Sequence, residues 1–259
     1  MTHKTVSVLV RIPKSGSTTL RRMMVAAYPE ARLFTVPETG ATAAARVTPY
    51  EAFRNRRRRL KHFLGYGALT EAGMWKRIAA DVRDDDIVTG HLRYGEPAIP
   101  QADLRYVTLL RDPAARILSN YNYDRLGFQK RSPARRRYLT GQLQAAGRSF
   151  IDYLNYMADE ERRSVLPAVA YVVGDEASAD PFDFLRERYF HWGVLERLDL
   201  FASGLAEKTG REVPLEWGNR TPERERSELT TDERRLIERV FARDIELYEK
   251  ARAAVLAGA

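Results

Sequence analysis

The 259-residue sequence has no cysteine. That excludes a disulfide framework, a thiolate zinc site, an iron–sulfur cluster and a cysteine nucleophile. Histidine is scarce, with His3, His62, His91 and His191 alone, so no obvious metal constellation stands out and no metal is expected. No run of 18 apolar residues occurs, which excludes a transmembrane helix. The stretch from Met1 to Ile12 lacks the long apolar region and small-residue cleavage site of a signal peptide, and a cytoplasmic chain is expected. Lysine is rare as well. Of the 43 basic residues 7 are lysine and 36 arginine; against 35 acidic residues the net charge is +8. That excess fits either the base composition of a genome or an anionic ligand, and both readings stay open.

What is present is an ordinary globular balance. Hydrophobic residues make up 44% and charged residues 30%, enough apolar material for a sizeable core and too much for a disordered chain. With no internal repeat and no low-complexity linker, one domain over residues 1–259 is the simpler organisation.

The near-continuous apolar run Thr5–Ile12, ended by Pro13, has the pattern of a buried parallel strand. Ser17–Tyr28 follows as a helix with Leu20, Met23, Met24 and Ala27 on one face. Further strands are expected at Arg32–Val36, Ile87–His91, Leu104–Leu110 and Trp192–Leu195. Helices are expected at Thr48–Leu64, Leu69–Val82, from Pro113 to about Tyr123, Phe150–Ala158, Phe182–Arg188 and Leu198–Thr209, with one long closing helix over Thr230–Leu256. Asp112 is placed to cap the helix that Pro113 opens. Ala168–Val173 suits either helix or strand. Leu126–Gly147, basic and broken by glycine and proline, reads as helix in a mobile, substrate-side region. Strands alternating with helices make this an α/β chain.

Pro13-Lys14-Ser15-Gly16-Ser17-Thr18-Thr19 carries the most chemistry. A glycine lets the backbone turn closely around an anion, and the helix start beyond it offers unpaired N–H groups and a positive dipole end. The hydroxyls of Ser15, Ser17, Thr18 and Thr19 add donors, and Lys14 adds a charge. The carboxyl end of a first strand is where open α/β sheets bind ligands. It is not a Walker A loop, in which lysine follows the second glycine; Lys14 precedes Gly16. A second element lies further on. Arg111 ends a strand and Ser119 follows eight residues later on a helix, so a guanidinium fork and a hydroxyl can converge on one phosphate. Arg116, between them, either joins that site or pairs internally.

The first loop resembles the 5′-phosphosulfate-binding loop of sulfotransferases, P-K-[ST]-[GA]-[GST]-[ST]-[ST]. The run Arg111-Asp-Pro-Ala-Ala-Arg-Ile-Leu-Ser119 resembles that family's 3′-phosphate site, R-[DN]-P-x-x-R-x-x-S. Thr89-Gly90-His91 with Tyr94-Gly95 is similar to the Gly-His element of the carbohydrate-modifying branch that includes the 2-O-sulfotransferases. Trp192 to Leu198, Asn219-Arg220-Thr221 and Asp244 to Tyr248 fit the later parts of the family-2 type. The resemblance implies a single P-loop-type α/β domain related to nucleotide kinases, its central, mainly parallel sheet flanked by helices. It also implies 3′-phosphoadenosine 5′-phosphosulfate as donor and adenosine 3′,5′-bisphosphate as product.

On that resemblance Lys14 is expected to stabilise the leaving 5′-phosphate, with Ser15, Gly16, Ser17, Thr18 and Thr19 donating to the same group. Arg111, Ser119 and Arg220 are expected on the rest of the donor, and His91 is the expected base, with Glu38, Asp86 and Glu96 as rival positions. The acceptor is expected to be a carbohydrate, a glycolipid or a small alcohol. The missing membrane anchor and disulfides depart from Golgi relatives and point to a bacterial-type cytoplasmic enzyme. Two basic runs, Arg54 to Lys61 and Lys130 to Arg137, suit an anionic sugar polymer or a solvated helix face. No helix-turn-helix, zinc or aromatic RNA-binding motif accompanies them, so a nucleic-acid partner is not expected. Tyr121, Tyr123, Phe128, Tyr138 and Tyr153 belong either to a sugar site or to the core. Two rival functions remain: a metal-dependent P-loop kinase, and a non-catalytic module that binds an anionic polymer.

Overall fold

The strand Lys4–Val10 is buried from Val6 onward because helices cover both of its faces: Val6, Val8 and Val10 join one core, Leu9 another. The computed structural model describes residues 4–36, 60–61, 63–136, 139–159, 167–176, 180–215 and 228–258. In chain order its elements are β1 (Lys4–Val10), α1 (Ser17–Ala27), β2 (Leu33–Thr35), α2 (Glu71–Asp81), β3 (Ile87–Gly90), β4 (Ala102–Leu110), α3 (Pro113–Gln129), α4 (Gly141–Arg148), α5 (Phe150–Ala158), α6 (Ala168–Val173), α7 (Pro181–Arg188), β5 (His191–Val194), α8 (Leu198–Thr209), α9 (Thr231–Val240) and α10 (Ala242–Ala257). The structure also has a single helical turn at Pro133–Arg136 and a 3-10 turn at Leu195–Arg197.

All five strands are parallel, in the order β2-β3-β1-β4-β5. The chain builds one side of β1 first, through β2 and β3, and then crosses to β4 and β5. Such a reversal beside the first strand opens a crevice at the carboxyl ends, where doubly wound sheets bind ligands. Val10 is in register with both Gly90 and Thr108, and the Thr108 hydroxyl donates to the Val10 carbonyl at 2.8 Å. The ends of β1 and β3 are therefore level, and β4 runs on past them to Leu110.

One face of the sheet is covered by α1 and α8, through Leu20, Met23, Phe201 and Leu205. The other is covered by α2, α6, α7 and α10, through Trp75, Ile78, Leu185 and Leu247. A third cluster lies apart from the strands. It joins α3, α4, α5 and α9 through Ile117, Tyr121, Phe150, Tyr153, Leu154 and Ile237. Within it Phe150 stacks on Tyr153 and Tyr121 meets both rings at an angle, and Tyr121 and Tyr153 are buried, core rather than sugar-site residues. Phe128 packs against Gly147.

Several expected elements differ. α3 continues to Gln129 instead of stopping near Tyr123. Its polar residues Asn120 and Asp124 face inward, where Asp124 accepts from Tyr153 at 2.9 Å and Gln142 at 2.6 Å. Burial pushes the Asp124 carboxyl up, a rise moderated by those bonds and by the charge of Lys14. This cluster anchors Gln142, within the span 126–147, to α3 and α5. Ala168–Val173 is helical, and its first N–H groups, Ala168 and Val169, donate to Asp244 at 2.8 and 3.0 Å. The closing helix is two helices broken at Phe241. α9 buries Leu236 and Ile237 in the third cluster, while α10 buries Leu247 and Ala251 against the sheet, and one straight rod cannot do both. Thr230 caps α9 in a capping box with Glu233. Most of the expected helix 48–64 and the basic residues Arg54–Arg59 lie outside the described residues, as do Arg137 and Tyr138.

Candidate active site at the carboxyl edge of the sheet

The loop after β1 turns through two left-handed residues, Lys14 at φ 66° and Gly16 at φ 72°. Gly16 is needed twice over: an L side chain rarely adopts that φ, and a Cβ there would come within 2.6 Å of Leu195 Cδ1. A lysine in the left-handed region is strained by roughly 1–2 kcal/mol. The neighbouring strand helps to hold it, since Arg111 Nη1 donates to the Lys14 carbonyl at 3.0 Å. The side chain of Lys14 runs toward α3, where its ammonium lies 3.9 Å from the centre of the Tyr123 ring.

Gly16 stands at the N-cap of α1, and no side chain caps that helix. The first turn carries no acidic residue either, so its dipole and N–H groups suit an anion. Ser15 is buried and its hydroxyl has no partner among the described residues. Five buried side-chain polar atoms lack partners among the described residues. Three of them, Arg11 Nε, Ser15 Oγ and Thr89 Oγ1, lie on β1, β3 or the loop at this edge. A buried donor left unpaired costs about 1–3 kcal/mol, a cost that a group bonding it would recover.

Arg111 follows β4, and Asp112 beside it caps α3 by accepting from Ala115 N at 2.7 Å, with Pro113 in the first turn. Burial lowers the Arg111 guanidinium from its ordinary range, partly offset by the charges of Glu196 and Asp112. Arg11 is lowered too, by burial and then by the like charge of Arg21. Ser119 lies on α3 one turn before Tyr123 and so shares its face, the face that meets Lys14. Arg116 does not join this site. It is fully buried and pairs with Asp244 at 2.9 Å, which settles the alternative left open by the sequence.

His91 follows β3 at the same edge. Its Nδ1 contacts the Arg11 carbonyl. A carbonyl only accepts, so Nδ1 carries a proton, and in the neutral form of the ring the lone pair falls on Nε2. The rivals fare differently. Asp86 precedes β3, at the opposite end of the sheet, where it pairs with Arg32 at 2.7 Å. Burial there raises Asp86, but the bonds from Arg32 and from the Arg83 and Arg32 amides outweigh it and leave the carboxyl low. Glu96 is held by Arg93 at 2.8 Å. Glu38 and Arg220 lie outside the described residues.

The structure thus brings together Lys14, Ser15, Gly16 and Arg111, with His91 on the adjacent strand end. Sequence reading missed Arg11 as a member of this edge and left Tyr123 open between a sugar site and the core; Tyr123 is exposed and not core. Arg11 directly precedes the loop, and Tyr123 falls one helical turn after Ser119, so spacing alone could have indicated both. Among the described residues no group of three or more His, Asp or Glu could hold a metal ion, and no helix is long and apolar enough to cross a membrane.

No protein-family model and no curated protein matches the chain. Among solved structures the chain is similar to a sulfotransferase from Alicyclobacillus acidocaldarius, at 17% identity and a TM-score of 0.46, over 98% of this chain and 96% of that one.

Proposed function

We propose that the chain is a sulfotransferase that moves a sulfuryl group from 3′-phosphoadenosine 5′-phosphosulfate to a hydroxyl of a carbohydrate, a glycolipid or a small alcohol. One observation carries the reading. The Arg111 fork reaches from β4 onto the backbone of the uncapped loop after β1, so two anion-seeking groups share one crevice at the switch point of the sheet. The unpartnered hydroxyl of Ser15 supports the same conclusion, because an anion in the loop would satisfy it.

When bound, the donor supplies the sulfuryl group and a 5′-phosphate leaving group. The residues of the chain have the remaining tasks. The N–H groups from Gly16 to Thr19 and the hydroxyls of Ser15, Ser17, Thr18 and Thr19 hold the 5′-phosphate, and Lys14 meets the charge that grows on its departing oxygen. Arg111 and Ser119 take the 3′-phosphate, with Arg220 as a further donor contact. His91 accepts the acceptor's proton at Nε2, as the oxygen–sulfur bond to the acceptor forms and the sulfur–oxygen bond to the phosphate breaks. The whole chain, 1–259, is read as one domain, with residues 126–147 as its mobile substrate-side flank, and as a bacterial-type cytoplasmic enzyme.

The test is transfer of label from a sulfuryl-labelled donor to a panel of glycans, glycolipids and small alcohols, without added metal. Label on an acceptor hydroxyl, with one bisphosphate released per transfer, is the expected result. Magnesium-dependent phosphoryl transfer from ATP would replace this reading with the kinase. Tight binding of an acidic polymer with no turnover of either donor would replace it with the binding module.

A further inference from the structure

The turn Leu195–Arg197 touches both halves of the candidate donor site. Leu195 rests on Gly16 of the loop after β1, as the 2.6 Å approach to a Cβ there shows. One residue on, Glu196 Oε1 accepts from the Asp112 amide at 3.1 Å, in the turn that carries Arg111. The Tyr248 hydroxyl of α10 donates to the same carboxylate. Burial raises the Tyr248 phenol far above its ordinary value, and the charge of Glu196 and that bond raise it further. The charge of Glu196 also reaches Arg111. Three elements therefore meet on one exposed carboxylate: the end of β5, the β4–α3 turn and α10.

A negative charge beside an anion site needs a reason, since by charge alone it repels the ligand. We infer that Glu196 is a positioning residue for donor recognition. It fixes the Arg111–Asp112 turn against the turn that seats Leu195 on the loop, so that the two phosphates of one nucleotide are read at a set separation. The inference rests on the reading of Arg111 as the 3′-phosphate contact.

Geometry and charge predict opposite signs, which makes the inference testable. The full chain is titrated calorimetrically with adenosine 3′,5′-bisphosphate and with AMP, which lacks the 3′-phosphate. The variants are Glu196→Ala and Glu196→Gln. Glu196→Ala removes the ties and is expected to weaken bisphosphate binding about tenfold while leaving AMP binding within about twofold. Glu196→Gln keeps an amide oxygen for Asp112 N–H and the Tyr248 hydroxyl and sheds the charge, so it is expected to bind the bisphosphate at least as tightly as the parent. Tyr248→Phe, which removes a single tie, is expected to give a smaller loss for the same ligand. Tighter binding by Glu196→Ala, equal losses for both nucleotides, or a glutamine variant as weak as the alanine variant would each overturn the inference. A parent protein that binds AMP as well as the bisphosphate would overturn the donor reading beneath it as well.

Discussion

The two ends of the sheet handle charge in opposite ways. At the amino end four charged groups are answered within the protein. Asp86 takes the Arg32 guanidinium and two backbone amides, and Asp84 accepts from Thr5 N at 2.8 Å. Lys4 donates to the Val82 carbonyl at 2.7 Å, and Asp85 pairs with Arg211. At the carboxyl end Arg11 Nε, Ser15 Oγ and Thr89 Oγ1 are buried without partners among the described residues. Charge that is paired within the protein maintains the fold. Polar groups left unpaired in a crevice cost stability, and a ligand is what would repay them.

The largest effect should come from the carboxyl end. Lys14→Ala is expected to lower sulfuryl turnover by roughly two to four powers of ten, measured as bisphosphate released from the donor at saturation, with the melting temperature little changed. The sharpest contrast lies within a single motif. Arg116→Ala leaves Asp244 buried without its guanidinium and is expected to cost about 3–5 kcal/mol in urea unfolding. Arg111→Ala, five residues earlier in the sequence, loses its bond to the Lys14 carbonyl and should cost only about 1 kcal/mol in unfolding, while weakening bisphosphate binding roughly 10- to 100-fold. A reversal of that pair would break the comparison.

Acidification should affect the paired and buried groups first. Burial lowers His191 to about 4, despite its bond to the Phe201 carbonyl at 2.8 Å. Its folded value lies below the ordinary 6.5, so the unfolded chain takes up the proton more readily. The stability contributed by the neutral ring is present above about pH 6.5 and lost as pH falls toward 4. Asp86 follows at lower pH, because its depressed carboxyl protonates last. The urea midpoint should therefore decline between pH 7 and 4.5, and His191→Phe should flatten that decline.

Smaller effects separate the two ends more finely. Asp86→Ala is expected to cost about 1–3 kcal/mol of stability without altering nucleotide affinity. Ser15→Ala should leave stability unchanged or slightly higher, since the hydroxyl it removes has no partner, and weaken bisphosphate binding about fivefold. Loss of stability in Ser15→Ala would show that the loop is a structural turn and not a ligand cradle.

Much of this was legible in the residues. The strand–loop–helix opening, the cap at Asp112 and the helices 150–158 and 198–209 all follow from local pattern. The partners that decide each charge were not legible, because they are remote in sequence. Arg116 and Asp244 are 128 positions apart, and Arg111 and Lys14 are 97 apart. Nor could spacing rank His91 against Asp86. Both flank the strand β3, and only the parallel topology puts one at the ligand edge and the other behind Arg32. α3 ran past its expected end because Asp124, polar by composition, finds its partners on α4 and α5.

The central claim is that the carboxyl edge reads a nucleotide with phosphates at both the 3′ and 5′ positions. The most direct measurement is thermal unfolding of the whole protein with adenosine 3′,5′-bisphosphate, with AMP, and with ATP plus magnesium. A ligand at 100 times its dissociation constant stabilises the native state by about 2.7 kcal/mol, which raises the melting temperature by several degrees. Stabilisation by the bisphosphate well beyond that by AMP or ATP is the expected result. Stabilisation by ATP with magnesium and none by the bisphosphate would contradict the account and assign the crevice to a kinase.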